Sequence, residues 1–222
     1  MATGSADTRL IVLRGNSGSG KSSVAAALRE ACGRGLAWVS QDLIRRNILR
    51  EHDRPGGVNI GLIDQVTRYC LDAGYHVVLD GILSAGRYEA MLAGLHREHR
   101  GLSRYYYLDV ALAETLRRHA TRPQAAEFSP AMMRDWYRPR DLLASVTEQV
   151  IPQSSTLRQT TDLILAQTRL LAAPRVPPLR RAGEDPAAGD GAGEDPAAGD
   201  GAAAGPPPAA GTPAAGAAPA PG

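Results

Sequence analysis

Eight consecutive residues, Gly15-Asn16-Ser17-Gly18-Ser19-Gly20-Lys21-Ser22, constrain this chain more than any other feature. They separate a short apolar run, RLIVLR at 9–14, from a stretch of helical composition, KSSVAAALREAC at 21–32. The run reads as a buried strand and the stretch as a helix. A strand that turns through three glycines into a helix converges backbone N–H groups on one point. The helix N-terminus adds partial positive charge there. The spacing GxxxxGK[ST] in this context therefore has a chemical reading, a loop that cradles phosphate. Gly15, Asn16, Ser17, Gly18, Ser19, Gly20, Lys21, Ser22 and Ser23 are its expected ATP-binding residues. Lys21 reaches the outer phosphates, and the Ser22 hydroxyl is the expected Mg²⁺ ligand. Lysine usage sharpens the point. Of 25 basic residues only Lys21 is a lysine, so a chain that otherwise uses arginine keeps a compact ammonium here.

The same alternation continues downstream. Short apolar runs at 36–40 (LAWVS), 75–80 (YHVVLD) and 104–109 (RYYYLD), with 148–151 (EQVI) as a fifth, read as strands. Helical spacing is expected over 41–51, 59–73, 86–99, from 110 to about 120, over 129–137, 141–145 and 154–170. Gly74 is placed to end the third helix, and Ser129-Pro130 to start the sixth. Strands alternating with helices predict an α/β fold with a parallel sheet covered on both faces.

Composition sets the domain boundary. From Ala173 to Gly222, 38 of 50 residues are Ala, Gly or Pro, and AGEDPAAGDG occurs at 182–191 and again at 192–201. Such a stretch has too little apolar surface to offset its chain entropy and is expected to be a disordered tail. One domain over 1–172 is the expectation. It carries 22 basic and 17 acidic residues, a mildly basic balance that falls short of a nucleic-acid-binding signature. No apolar run is long enough to span a membrane. Cys32 and Cys70 are isolated, which argues for free thiols in a cytoplasmic protein and against a metal cluster.

With one lysine in the chain, the guanine-reading NKxD motif is impossible. The length leaves little room for the added helical domain of AAA-type motors. In its phosphate loop the chain resembles the small P-loop kinases, a group holding zeta toxins, chloramphenicol phosphotransferase, gluconate kinase and polynucleotide kinase. The resemblance covers about residues 9–170. It implies a P-loop NTPase fold with a five-stranded parallel sheet ordered 2-3-1-4-5. It also implies transfer of the γ-phosphate of MgATP to a hydroxyl of a small molecule, and a small basic lid at about 117–140. Acting alone or as a homodimer would fit equally.

Three constellations map onto that frame. Asp42, after the second strand, would orient the acceptor hydroxyl, with Arg45 holding an anionic part of the substrate. The simpler reading of Asp42 is a helix cap. Arg46, on a helix, would face away from Arg45. Asp80, ending the third strand, would hold Mg²⁺ beside Ser22 or contact substrate. Arg118 and Arg122 share a helix face and would neutralise charge on the transferred phosphate. Tyr105, Tyr106 and Tyr107 read as core, and Trp136 and Tyr137 read equally as pocket wall or helix packing. Two alternatives stay open: an ATP-dependent switch that controls a partner protein, and a nucleic-acid end kinase.

Overall fold

The computed structural model of the chain describes residues 2–120 and 129–174. Arg122, the middle of the expected lid, and the Ala/Gly/Pro-rich tail from 175 onward lie outside the described residues.

Strand β1 (Arg9–Arg14) runs into the glycine loop and helix α1 (Lys21–Cys32). Then come β2 (Leu36–Ser40), a π-helical turn (Leu43–Ile48), α2 (Val58–Asp72) and β3 (His76–Asp80). The chain continues through α3 (Ala85–Glu98), β4 (Leu102–Asp109), α4 (Leu112–His119) and α5 (Pro130–Trp136). It closes with β5 (Gln149–Pro152), α6 (Leu157–Thr168) and a 3₁₀ turn (Leu170–Ala172). The strands form one sheet in the order β2-β3-β1-β4-β5, every pairing parallel. This is the predicted order and the P-loop NTPase fold. Among the described residues no helix is long and apolar enough to cross a membrane.

The central strand explains the architecture. Leu10, Ile11, Val12 and Leu13 of β1 are all buried. A strand covered on both faces reads as a continuous apolar run rather than an alternating one. Leu10 and Val12 join one cluster with Ile63, Leu92 and Leu95, and Ile11 and Leu13 join the other with Val24, Leu28 and Ile164. Local signals end the helices where the sequence places them. Gly74, at φ 88°, follows α2 in a paired arrangement: Tyr75 donates to the Cys70 carbonyl and Gly74 to that of Leu71. Only a residue tolerant of positive φ closes that motif cheaply. Ser129 caps α5 by accepting from the Met132 N–H, with Pro130 at the first helical position.

Two stretches differ from expectation. Residues 43–48 widen into a π-helical turn, with Leu49 donating to Ile44. Residues 141–145 form no helix. Three of their N–H groups are taken by carboxylates: Leu143 donates to Glu148, and Ala144 and Ser145 donate to Glu89. The Glu89 contacts come from a distant helix and replace the helical ladder there, which a local periodicity cannot reveal.

Candidate active site

Register brings chemistry to the carboxyl edge of the sheet. Ser40 of β2 and Leu13 of β1 both lie level with Asp80 of β3, and Arg14 lies level with Tyr107 of β4. Ligands in such sheets collect beyond this edge.

Phosphate chemistry is concentrated in the glycine loop. Gly15 has φ 142°, and a Cβ there would meet the Leu108 carbonyl oxygen at 2.6 Å. Gly18 has φ 81° and packs on the Thr115 carbonyl. Side chains at either position would push the loop off β4 and α4. Helix α1 begins without a side-chain cap and without an acid in its first turn, so its first N–H groups face the pocket. The Lys21 ammonium lies within the loop, donating to the Asn16 carbonyl at 2.8 Å and to Ser19 Oγ at 3.2 Å. Ser22 Oγ donates to Asp80 Oδ2 at 2.7 Å. The second carboxylate oxygen of Asp80 accepts from Trp38 Nε1 at 2.8 Å. Asp80 is 2% exposed, so both contacts orient a desolvated carboxylate. The Trp38 indole N–H, which a hydropathy pattern ignores, fixes Asp80.

Two cavities share this edge. The smaller, about 350 Å³, is lined by Ser17, Gly18, Gly20, Lys21, Ser22 and Ser23 together with Ser40, Asp42, Arg46, Asp80 and His119. The larger, about 870 Å³, lies beside it and is lined by residues 41–55, 82–87 and 132–141 in part, with Tyr107. Ser17, Asp42, Arg46 and Ile82 line both.

Asp42 is the acid at that junction. Its side chain is 71% exposed and makes no cap hydrogen bond. It pairs with Arg45 at 3.1 Å and Arg46 at 3.5 Å. The expectation that Arg46 turns away from Arg45 fails, because residues three and four positions on from Asp42 both reach its carboxylate, the ordinary neighbourhood of a helical turn. Arg45 also donates to the Glu51 carbonyl.

From the other side, Arg118 donates to Glu114 at 2.6 Å and to the Ser19 carbonyl of the loop at 3.3 Å. Arg117 pairs with Glu114 on an exposed face. These two arginines hold the Glu114 carboxyl down to about 2, the Arg117 hydrogen bond contributing most. The structure thus separates Arg118, against the loop, from Arg117, away from it.

Three features of the larger cavity have no sequence forewarning. Arg14, at 0% exposure, donates to the Leu83 carbonyl, to Glu148 at 2.7 Å and to Asp141 at 3.2 Å, and lies over the Tyr107 ring. Tyr88, buried on α3, accepts from Gln41 and Asn59 and donates to Asp53 at 2.6 Å. Burial first, and the Asp53 contact after it, raise the Tyr88 hydroxyl far above its ordinary range. Asn16 clamps the backbone of Arg138: the Arg138 N–H donates to Asn16 Oδ1 at 2.9 Å, and Asn16 Nδ2 donates back to the Arg138 carbonyl at 2.7 Å. Tyr107 is core as expected, yet its hydroxyl also contacts Asn16, Arg138 and Asp141. Trp136 lines the cavity and is 42% exposed, whereas Tyr137 turns to the body and donates to the Val110 carbonyl.

The fold and this loop define a P-loop nucleotide-binding domain. Residues 10–141 match the model of the family AAA_33, described as an AAA domain; this is more than half of the chain, and the chain belongs to that family. No curated protein matches the sequence. The structure is similar to that of the APS kinase CysC of Mycobacterium tuberculosis in complex with AMPPNP and APS. The TM-score is 0.58 at 16% identity, over 78% of this chain and 99% of that one. It is also similar to a sugar kinase from Janibacter sp. HTCC2649, with TM-score 0.56 at 16% identity over 75% of this chain and 98% of that one. A gluconokinase from Sinorhizobium meliloti 1021 gives TM-score 0.50 at 20% identity over 77% and 94%. At these identities the likeness is one of fold, the P-loop NTPase fold described above.

Proposed function

We propose that the protein is an ATP-dependent kinase that phosphorylates a hydroxyl group of a small molecule. The observation that carries this reading is the junction of the two cavities at Asp42. A phosphate pocket opens into a second, larger cavity, and a carboxylate stands where they meet. A nucleotide-dependent switch needs the first cavity but no acid facing a second.

The roles follow from position. The loop N–H groups and Lys21 hold the β- and γ-phosphates. Ser22 and Asp80 are hard oxygen donors 2.7 Å apart, and they fit Mg²⁺, which takes few protein ligands and completes its shell with water and phosphate oxygens. When bound, the ion neutralises charge building on the phosphates. Asp42 accepts the hydrogen bond of the acceptor hydroxyl and takes its proton. The acceptor oxygen bonds to the γ-phosphorus as the bond to the bridging oxygen of ADP breaks. Arg118, beside Ser19, supplies positive charge to the transferred group, and Arg122 is assigned the same role. Arg45, 3.1 Å from Asp42, positions that carboxylate and is also placed to meet an anionic part of the substrate.

The test is transfer of labelled γ-phosphate from MgATP into a fractionated metabolite extract, with Lys21→Ala beside the wild type. A labelled small molecule that disappears with Lys21→Ala supports the kinase reading. The variant should lose at least about 10²-fold in transfer, the scale for removing a preorganised cationic contact to the reacting group. Label released only as free phosphate, or equal labelling by both proteins, contradicts it.

A further inference from the structure

Five arginines, Arg45, Arg46, Arg50, Arg87 and Arg138, line the larger cavity against four carboxylates, Asp42, Glu51, Asp53 and Asp141. Most of these charges are already matched. Arg45 and Arg46 share Asp42, Arg87 pairs with Asp53 at 2.8 Å, and Asp141 is held by the buried Arg14. Arg50 is exposed and is next to Glu51 in sequence only. Arg138 differs from the paired arginines. Its guanidinium donates to two neutral groups, the Asp135 and Tyr137 carbonyls. Its backbone is the one clamped by Asn16 and contacted by the Tyr107 hydroxyl. The Arg138 side chain is exposed, and what sets it apart is the anchored backbone from which it starts. The clamp fixes where the side chain starts, directly beside the phosphate loop, and leaves its charge for something else to neutralise.

Arg138 lines the larger cavity and not the phosphate pocket. Its charge is therefore offered to the acceptor and not to the nucleotide. Arg134 and Arg140, nearby in sequence, line neither. On the kinase reading above, we infer that the acceptor carries an anionic group, a carboxylate or a phosphate, and that Arg138 is the residue that binds it. Asn16 is a positioning residue: it seats Arg138 against the same loop that holds the phosphates, so donor and acceptor are registered to one piece of backbone. The anion binds the guanidinium through charge-assisted hydrogen bonds. Trp136 and Met132, both on α5 and both exposed on the cavity wall, face the apolar part of the same molecule.

The test separates the extract on an anion-exchange resin before the reaction. The unbound flow-through and the salt eluate are each offered to full-length protein with labelled MgATP. Wild type should label an acceptor in the eluate and none in the flow-through. Arg138→Met should need at least tenfold more eluate for half-maximal transfer, while its MgAMPPNP affinity stays within twofold of wild type. Arg138→Lys, which keeps the charge, should recover part of the loss. Asn16→Asp keeps the acceptor for the Arg138 N–H and loses the return bond, and should fall between wild type and Arg138→Met. A labelled acceptor in the flow-through, or wild-type behaviour of Arg138→Met, overturns this inference and leaves the kinase reading standing. Label in neither fraction overturns both.

Discussion

The phosphate pocket takes Ser17, Gly18, Gly20, Lys21, Ser22 and Ser23 from one continuous stretch and adds side chains such as Asp42, Asp80 and His119 to it, whereas the larger cavity gathers its walls from stretches scattered between residues 15 and 141. The first is held by backbone conformation: positive φ at Gly15, Gly18 and Gly20 and an uncapped helix start. The second is held by side chains buried beneath it, Arg14, Tyr88 and Asn16, each joining elements far apart in the chain. Phosphate is the same in every nucleotide, so a fixed backbone cradle serves. An acceptor pocket needs a specific shape, and that shape is stored in long-range polar contacts. The two regions should therefore break differently.

Arg14→Met should give the largest loss of stability. It strands Glu148 and Asp141 beneath the cavity, and removing one partner of a buried ion pair costs about 3–5 kcal/mol. Denaturant unfolding measures it; a loss under about 1 kcal/mol would mean that the Arg14 cluster is not what holds this wall. Tyr88→Phe should cost less, about 1–3 kcal/mol, because it leaves Gln41, Asn59 and Asp53 without a shared partner. In the same variant MgAMPPNP affinity should hold within twofold, since Tyr88 lines no part of the phosphate pocket. A matching loss of nucleotide affinity would dissolve the distinction between the two regions.

The smallest effect expected is a pH dependence remote from both cavities. His99 is buried between Thr8 and Ser103, each 2.8 Å from a ring nitrogen. Burial, with Arg9 nearby, pulls its pKa down to about 4. Between the ordinary histidine value of about 6.5 and about 4, the unfolded chain binds a proton that the folded chain refuses. Stability contributed by His99 is therefore full above that window and falls as pH drops through it. His99→Gln should show a smaller fall in Tm between pH 7 and pH 4.5 than wild type, with unchanged nucleotide affinity. An equal fall in both proteins would assign the acid sensitivity to other groups.

The contrast also explains what could be read from the sequence. The five strands were legible because each is a short local run, with four apolar residues in a row at the centre of β1; their order came from the resemblance of the phosphate loop to small P-loop kinases. Gly74 and Ser129-Pro130 marked helix ends through rules that act over a few residues. The loop from Gly15 to Ser22 was legible because its chemistry is contiguous. The acceptor side was not. Arg14 looks like a strand-end charge until Glu148 and Asp141, more than 120 positions away, are placed beside it. The failed helix at 141–145 has the same origin, because Glu89, 55 and 56 positions away, takes the N–H groups of Ala144 and Ser145; the face of Arg46 was misjudged against Arg45 when its neighbour is Asp42, four positions back. His99, a buried residue that ends α3, carries no signal of its burial in the residues beside it.

The central claim is that Asp42 belongs to the acceptor side of the junction. It is tested most directly by measuring phosphate transfer and MgAMPPNP affinity together in Asp42→Asn. The variant keeps the size of the side chain and removes the proton acceptor. Loss of a positioned base lowers a rate by about 10²–10⁴-fold, and the account predicts a fall on that scale with nucleotide affinity within twofold of wild type. A parallel loss of nucleotide affinity would place Asp42 with the phosphates and metal, and unchanged transfer would remove it from the reaction.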